Sequence, residues 1–415
     1  MLVRVVRGDV SPTGRHLMLS SDHADIVRAT LPAVGANGVE ITGRFYSAMF
    51  DAHPELRHVF NQGNQANGEQ RQALAGSVAA FAEHLVNPEG GTRFQQMLPR
   101  IAHKHASLGI RPEQYTIVGR HLMNAVADVL GDAVTPEVHA AWSEVYWLFG
   151  TLLIAEEARL YQEAGCDPAV PYLPWRVVER RDEAQDVISL VLAPAGGGEV
   201  PAHRPGQYVS VAVTLPGGLR QPRQYTLSRG AGDTIQITVR RVRGEDAAPD
   251  GAVSAYLFDR VAVGDELELS HPFGDVVLDE AEDPLVVISA GIGITPAAAI
   301  IDHLAVTAPD RPVLAVHADR SPRSHALREQ IAGAGARMTG FRQLTWYEDP
   351  GDAELGEDVR PGRIDVAELP LPDKARVFMC GPLPFMREIR RVLLEAGVSD
   401  ERIHYEVFGP DLWIR

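Results

Sequence analysis

Apolar residues recur at three- and four-residue spacing in the first part of the chain, which predicts α-helices from Asp22 to about Tyr161. One predicted helical face carries four large side chains: Phe45, Tyr46, Met49 and Phe50. Pro54 ends that helix. A polar loop over residues 61–68 then separates it from a second predicted helix over residues 69–86.

Prolines mark the starts of the later predicted helices. Pro99 suits the first turn of a helix that ends near Gly109. Pro112 opens the next helix, and the last one begins near Pro136. That last helix carries one apolar stripe: Trp142, Val145, Tyr146, Phe149, Leu152, Leu153 and Leu160.

The pattern changes after Tyr161, where Gly165, Pro168, Pro171 and Pro174 mark a linker. Short runs typical of β-strands follow, separated by Gly and Pro turns: Val187–Leu192, Gln207–Val213, Gln224–Ser228, Ile235–Val242 and Glu266–Ser270. These runs predict an antiparallel barrel or sandwich.

From near Asp283 strands alternate with helical segments, which predicts a parallel sheet. The predicted strands are Leu285–Ser289, Val313–His317, Gln343–Tyr347, Arg376–Met379 and His404–Phe408. The chain is therefore expected to be multidomain, with an N-terminal extension, an all-α domain, a linker, an antiparallel β domain and an α/β domain. The expected bounds are, in that order, residues 1–20, 21–161, 162–174, 175–282 and 283–415.

Composition and charge exclude several classes of protein. A chain of 415 residues is too long for one core. The net charge of -16 would repel phosphate backbones, so nucleic-acid binding is not expected. Cys166 and Cys380 are too few for a disulfide framework, which indicates a reducing compartment, the cytoplasm. No apolar run approaches the roughly 20 residues of a spanning helix, so stable membrane insertion is not expected.

The N-terminal stretch is basic and lacks the apolar centre of a secretory signal. It is either a disordered tail or translated upstream sequence, since Met18 is followed by a helix-capping run, Leu-Ser-Ser-Asp. Neither interpretation gives it a chemical role.

Two histidines share one short predicted helix. Ile101, His105 and Leu108 fall on one face, so His105 is expected to point inward and His103 outward. A lone inward histidine is more often a hydrogen-bonded core residue than a metal ligand.

Polar residues elsewhere in the helical part favour the metal site. Tyr46 and Gln70 stand among apolar residues, and buried polar groups need partners. Glu157 lies at the edge of the apolar stripe, where a carboxylate can bond the free ring nitrogen of His105, unless it belongs to a solvated helix end. A flat apolar cofactor with a gas ligand would suit these residues, so the helical part is a candidate haem site.

The run Arg223-Gln224-Tyr225-Thr226-Leu227-Ser228 is a candidate flavin site. An arginine can fork onto a pyrophosphate, an aromatic ring can stack on a flavin, and a hydroxyl can bond the redox-active ring nitrogen. An ordinary strand pair is the alternative, although the preceding Pro205-Gly206-Gln207-Tyr208 favours the flavin. Gly251-Ala252-Val253-Ser254 opens a helix, whose free N–H groups suit a phosphate.

The run Gly291-Ile292-Gly293-Ile294-Thr295-Pro296 follows a buried strand and opens a helix, but it lacks the third glycine of the dinucleotide fingerprint. Together with Cys380-Gly381-Pro382 it resembles the nicotinamide domain of ferredoxin-reductase-like enzymes. Cys380 either lies near the nicotinamide or is a small packing residue. The choice between NADH and NADPH stays open, because Arg320, Ser321 and Arg323 either receive a 2′-phosphate or are solvated.

Four runs, RFYSAMF, HPELRHVFNQGNQANGEQRQAL, IAHKHASLGI and PEQYTIVG, resemble the globin domain of bacterial flavohaemoglobins, and the similarity spans residues 18–415. The resemblance implies an all-α globin domain, an antiparallel β-barrel FAD domain and an α/β parallel-sheet NAD(P)H domain. It implies that His105 is the proximal haem ligand, bonded in a network with Tyr115 and Glu157. It also assigns Tyr46, Gln70 and Leu74 to the distal pocket, Phe60 to a ring packed on the haem, and Lys104 to a basic position beside the ligand.

The resemblance also implies the residues of the flavin and nicotinamide sites. Those of the flavin site are Tyr208, Arg223, Gln224, Tyr225, Thr226, Gly251, Val253 and Ser254. Those of the nicotinamide site are Gly291, Ile292, Gly293, Ile294, Thr295, Pro296, Cys380, Gly381 and Pro382. The terminal run matches the family's flavin-contacting end, with a valine where a cysteine is common: Glu406, Val407, Phe408, Gly409 and Pro410.

The implied activity is that of a nitric oxide dioxygenase. In that family NAD(P)H reduces FAD, FAD reduces the haem iron, and haem-bound O₂ converts nitric oxide to nitrate. One alternative is a haem-based O₂ or nitric oxide sensor or an oxygen store, which would need no fused reductase. Another is an NAD(P)H-flavin reductase whose helical domain docks a partner without haem. O₂ and nitric oxide are the expected partners, and the chain is expected to be monomeric.

Overall fold

The computed structural model describes residues 19–60, 68–87, 92–244, 249–351 and 355–409. Residues 1–18 of the predicted N-terminal extension lie outside the described residues, and so does Pro410. Over these five ranges no helix combines the length and the apolar character that crossing a membrane requires.

The first part of the chain is helical, as predicted. Its helices are α1 (Ser21–Ala36), α2 (Gly38–Ala52), α3 (Glu69–Val86), α4 (Thr92–Leu108), α5 (Pro112–Leu130) and α6 (Pro136–Glu163). A 3₁₀ turn, Pro54–His58, follows α2. The helices surround one apolar core in which Phe45, Phe81 and Trp142 are each only 1% exposed.

The prediction for Pro99 was wrong, because this proline lies inside α4 and not in its first turn. A proline inside a helix removes a backbone donor, so the local signal favours a start there. Phe94 anchors the earlier turn, with ring centroids 4.8 Å from Phe81 and 6.1 Å from Phe149. Tertiary packing thus extends the helix beyond the point where the proline predicts its start.

The second part is a six-stranded antiparallel sheet with the order β4-β3-β6-β1-β2-β5. Its strands are β1 (Tyr172–Ala184), β2 (Val187–Pro194), β3 (Tyr208–Thr214), β4 (Arg220–Thr226), β5 (Ile235–Arg240) and β6 (Glu266–Ser270). A bridge between Leu227 and Ile237 joins the end of β4 to β5 and closes the barrel. Helix α7 (Ala252–Arg260) follows β5 in the chain.

The sequence pattern did not reveal β1, although it pairs with both β2 and β6. Only Trp175 and Val177 are buried along its 13 residues, and the charged run from Glu179 to Glu183 hides the alternation. Its pairing with β2 also contains two register shifts, which break the two-residue period.

The third part is a six-stranded sheet with the order β10-β9-β8-β7-β11-β12, and its strand pairs are parallel. Its strands are β7 (Leu285–Ala290), β8 (Val313–Asp319), β9 (Phe341–Tyr347), β10 (Val359–Pro361), β11 (Arg376–Cys380) and β12 (Ile403–Glu406). Its helices are α8 (Ile294–Thr307), α9 (Arg328–Gly335) and α10 (Leu383–Glu395). The predicted parallel sheet is confirmed, with β10 as an additional short strand.

The order of this sheet reverses at β7, which lies between β8 and β11. Ligands of open α/β sheets bind beyond the carboxyl ends of the strands at such a reversal. The loop from Gly291 to Gly293 follows β7 at this point. The predicted nicotinamide loop therefore lies at the position where sheets of this kind bind ligands.

Candidate functional site

A single cavity of about 1490 Å³ connects the helical part with both β-containing parts. From the helical part it is lined by Tyr46, Phe60, Gln70, Leu74, Lys104, His105 and Tyr115. From the barrel it is lined by Tyr208, Arg223, Gln224, Tyr225, Thr226, Gly251, Val253 and Ser254. From the α/β part it is lined by Gly291, Ile292, Thr295, Glu406, Val407, Phe408 and Gly409. Most of the predicted site residues therefore meet in one space.

A buried hydrogen-bond network holds His105 on α4. Its Nδ1 lies 2.7 Å from Glu157 Oε1 and 3.0 Å from the Tyr115 hydroxyl, which itself donates to the same carboxylate oxygen. Glu157 is 2% exposed, because it shares the inner face of α6 with Leu153 and Leu160. Burial and the neighbouring Glu157 raise the pKa of Tyr115 well above its usual value, so it stays a donor. The carboxylate holds the Nδ1 proton, which leaves the Nε2 lone pair of His105 for a ligand.

His103 faces the opposite side of α4, as predicted, but the barrel covers this side. Its Nδ1 accepts a hydrogen bond from the Gly274 backbone N–H at 3.0 Å, and its ring packs edge-on against Phe273. Burial lowers the pKa of His103, which keeps Nδ1 available as an acceptor.

Aromatic rings and one amide form the other end of the helical cavity. Tyr46 is 5% exposed, and its ring centroid lies 4.7 Å from that of Phe45 and 5.7 Å from that of Phe60. Gln70 Oε1 is buried and has no hydrogen-bond partner among the described residues. Because a buried acceptor without a donor is costly, this end of the cavity suits a polar guest within apolar walls.

The predicted flavin motif lies on β4, and the N-terminus of α7 lies beside it on the cavity wall. The Ser254 hydroxyl donates to the Gly251 carbonyl at 2.9 Å and accepts from the Val242 N–H at 3.1 Å. A Cβ on Gly251 would lie 2.8 Å from both Ser254 Oγ and Val242 Cβ, so only glycine fits there. Arg223 lines the same cavity as this helix start, where free N–H groups are suited to an anion.

The predicted nicotinamide residues form two groups, of which the first, Gly291, Ile292 and Thr295, lines the cavity. Six of them do not line the cavity: Gly293, Ile294, Pro296, Cys380, Gly381 and Pro382. A Cβ on Gly293 would collide with the Cys380 carbonyl oxygen, so this glycine permits close packing of the loop on β11. Cys380 is 4% exposed, and burial raises the pKa of its thiol well above the usual value. Cys380 is thus packed at the end of β11, and its predicted place near the nicotinamide stays a prediction.

The carboxyl end of β8 contributes residues at the far end of the cavity. Asp319, Arg320, Ser321 and Ser324 line it there. The Asp319 carboxylate accepts from Ser324 Oγ at 2.6 Å and from the Arg320 N–H at 2.7 Å. Of the three residues that the sequence suggested for a 2′-phosphate, Arg320 and Ser321 line the cavity and Arg323 does not.

Family models match both ends of the chain. The globin model matches residues 43–151, and the oxidoreductase NAD-binding domain model matches residues 287–391. A flavohemoprotein of Rhizobium meliloti is 42% identical over 407 residues, which cover 95% of this chain and 100% of that protein. The flavohemoprotein of Bordetella pertussis is 43% identical over 404 residues, covering 94% of this chain and 99% of its own. The chain belongs to the flavohaemoprotein family.

Solved structures agree with the fold of this flavohaemoprotein. The flavohemoglobin of Malassezia yamatoensis with bound FAD and heme has a TM-score of 0.85 and 36% identity, and covers 94% of this chain and 100% of its own. The FAD/NAD-binding domain of nitric oxide dioxygenase from Vibrio cholerae has a TM-score of 0.53 and 40% identity, and covers 57% of this chain and 99% of its own. The family resemblance and the fold class expected from the sequence are confirmed.

Contacts between the globin part and the reductase part of this flavohaemoprotein were not predicted. The Arg100 guanidinium on α4 lies 4.8 Å from the ring centroid of Tyr405 and 3.5 Å from Asp275. Lys104 Nζ donates to the Gly409 carbonyl at 3.4 Å. The cluster of basic residues on α4 is the sequence signal that could have indicated this interface.

Proposed function

We propose that this flavohaemoprotein is an NAD(P)H-dependent nitric oxide dioxygenase that holds haem in its globin part and FAD in its barrel. The observation that carries the proposal is the continuous cavity, which joins the His105 network to the flavin motif and to the Gly291 loop. Similarity to the Vibrio cholerae nitric oxide dioxygenase domain and to the Malassezia yamatoensis protein with FAD and heme supports it. We place the protein in the cytoplasm, where Cys166 and Cys380, both free thiols, stay reduced.

The helical end of the cavity fits haem on the features of this structure. His105 presents one free ring nitrogen, because Glu157 engages the other. The surrounding wall is largely apolar, and Gln70 Oε1 lacks a donor among the described residues. A planar apolar group whose metal takes the free nitrogen of His105 fits the first two features, and the Gln70 amide adds a polar group at the place where a small ligand would lie.

When bound, haem supplies an iron centre that binds O₂, and FAD divides the two electrons of a hydride into single-electron steps. Glu157 fixes the tautomer of His105 and makes its Nε2 more basic, which strengthens a proximal ligand. The Tyr115 hydroxyl donates to the same carboxylate oxygen and holds it in place. We assign these three residues to the proximal network.

On the distal side we assign Tyr46 and Gln70 to O₂. The hydroxyl of Tyr46 and the amide of Gln70 are donors beside the apolar walls formed by Leu74 and Phe60. Donors held at this end of the cavity would stabilise negative charge that develops on a bound gas, which is the chemistry that a dioxygenase requires.

In the reductase part Arg223 and the N-terminus of α7 would bind the flavin phosphates, and Tyr225 would lie against the flavin ring. The Gly291 loop and the start of α8 would bind the nicotinamide dinucleotide at the reversal of the sheet. Glu406, Val407 and Phe408 line the wall between these sites and the globin part. In this arrangement the cofactors would follow one another from the hydride donor to the gas site.

The test uses the purified full chain after expression with haem supplementation. We expect haem and flavin absorbance, reduction of both by NADH under argon, and NADH-dependent conversion of nitric oxide to nitrate in air. Flavin reduction without any haem would support a reductase with a docking domain. Haem that binds O₂ without NADH-driven nitric oxide consumption would support a sensor or oxygen store.

A further inference from the structure

Gln221 on β4 is a buried polar residue that connects the barrel to the globin part. It is 1% exposed, and its Nε2 donates to the carbonyl oxygens of Arg57 at 3.0 Å and Phe60 at 3.2 Å. The Arg57 carbonyl lies in the last part of the 3₁₀ turn that follows α2, and the Phe60 carbonyl lies two residues beyond that turn. A barrel side chain therefore satisfies backbone acceptors in the segment that carries Phe60.

The other end of the same amide contacts the flavin motif. Gln221 Oε1 accepts a hydrogen bond from Arg223 Nη1 at 3.3 Å, and the same nitrogen donates to the Pro222 carbonyl at 2.7 Å. A guanidinium has five N–H donors, so three remain after these two contacts. Because Arg223 lines the cavity, those donors are available for a phosphate while the bond to Gln221 is kept.

The segment held by Gln221 forms part of the gas-binding end of the cavity. The ring of Phe60 lies edge-on to Tyr46 at 5.7 Å and to Phe50 at 5.3 Å between centroids. A second bond, from the Arg220 N–H to His58 Nδ1 at 3.1 Å, fixes the same turn to β4. A shift of this turn would change the position of Phe60 against Tyr46.

We propose that Gln221 is a positioning residue that couples occupancy of the flavin site to gas-ligand kinetics at the distal haem pocket. A phosphate bound by Arg223 orders its guanidinium, the ordered guanidinium orders Gln221, and Gln221 holds the Arg57–Phe60 turn in place. The coupling rests on the proposed function, since it needs both a haem site and a flavin site. To the extent that FAD changes the equilibrium affinity of the globin part for a gas ligand, linkage requires that the gas ligand change the affinity for FAD by the same factor.

The test measures CO rebinding after flash photolysis of the reduced full-length protein, once with FAD bound and once after FAD removal. In the wild type we expect FAD removal to change the equilibrium affinity for CO by about 5-fold, the lower end of typical couplings between sites, and the CO rebinding rate to change with it. Gln221→Met removes the amide at similar side-chain volume. We expect CO rebinding in this variant to be the same with and without FAD. Its CO kinetics should match those of FAD-depleted wild type.

Gln236→Met is the matched control. Gln236 on β5 is also 1% exposed, and its Nε2 donates to Ser228 Oγ at 3.1 Å and Gln330 Oε1 at 2.9 Å. These partners join the barrel to the α/β part and not to the globin part. We expect this variant to keep the wild-type FAD dependence even if its melting temperature falls.

A second variant covers the case in which Gln221→Met does not fold. Gln221→Glu keeps an acceptor for Arg223 but has no N–H for the carbonyls of Arg57 and Phe60, so FAD should bind while the dependence disappears. Wild-type kinetics that ignore FAD would overturn the coupling, as would FAD dependence retained in the Gln221 variants or lost equally in Gln236→Met. A failure of the coupling alone leaves haem content and nitric oxide consumption intact. A failure of the proposed function abolishes haem binding or nitric oxide consumption.

Discussion

Replacement of Glu157 by glutamine tests the proximal network most directly. The carboxylate accepts from His105 Nδ1 at 2.7 Å and from the Tyr115 hydroxyl, and it is 2% exposed, so solvent does not screen either bond. A hydrogen bond to a charged group contributes about 1.5–3 kcal/mol and a neutral one about 0.5–1.5 kcal/mol. Glu157→Gln therefore weakens each bond by about 1–1.5 kcal/mol.

Only the bond to His105 acts on the imidazole whose Nε2 would hold the iron, since Tyr115 itself carries no proposed metal ligand atom. The expected result is therefore roughly tenfold faster loss of haem, within the 10- to 100-fold range typical of such partners of metal ligands. The assay is transfer of haem to an excess of apomyoglobin, followed by absorbance.

Glu156→Gln is the matched control for this experiment. Glu156 makes the same charge change one residue earlier, but it pairs with Arg159 on the outer face of α6. It should lose haem at the wild-type rate. Equal rates for the two variants would refute the assignment of Glu157 to the proximal network.

Three further predictions follow from the same structure. His105→Ala should abolish haem retention in the purified protein, whereas His103→Ala should keep haem and lower only the melting temperature; the opposite pattern of haem content would contradict the phase of α4. Tyr46→Phe should speed O₂ release, by about 10- to 100-fold at most, while flavin reduction by NADH stays unchanged in stopped-flow; an unchanged O₂ rate would remove Tyr46 from the gas site. Burial lowers the pKa of His325 to about 2, so the unfolded chain binds a proton below pH 6.5 that the folded chain does not, and stability falls as pH falls from there. This protonation of the unfolded chain lowers the free energy of unfolding by at most about 1.4 kcal/mol per pH unit. Urea melts between pH 7 and 5 should therefore show a shallower loss of stability for His325→Gln than for the wild type. Identical slopes would show that His325 titrates normally in the folded state.

Local patterns in the sequence were enough to predict the site residues that depend on helical phase or strand register. The spacing of Ile101, His105 and Leu108 predicted which histidine faces the cavity, because a helix repeats every 3.6 residues whatever packs around it. The run from Arg223 to Ser228 likewise placed its side chains on a strand beside a helix N-terminus. These inferences needed no knowledge of distant residues.

The misinterpreted elements share one physical cause, which is packing against distant parts of the chain. Contacts of Phe94 with Phe81 and Phe149 stabilise the part of α4 that precedes Pro99. Strand β1 carries a charged run and depends on pairing with β2 and β6 to form. Local propensity is weak beside such tertiary contacts, so these elements could not be read from neighbouring residues alone.

Only the tertiary structure decided how the sites are connected. Gln221 bonds Phe60 across 161 positions, and Ser210 Oγ donates to Ser107 Oγ across 103. No periodicity in a single sequence encodes which distant carbonyl a buried amide will satisfy, because that choice depends on how the barrel docks on the globin. The sequence by itself determined the three kinds of domain and many of the residues that face the cavity in each, while docking alone joined them into one continuous cavity.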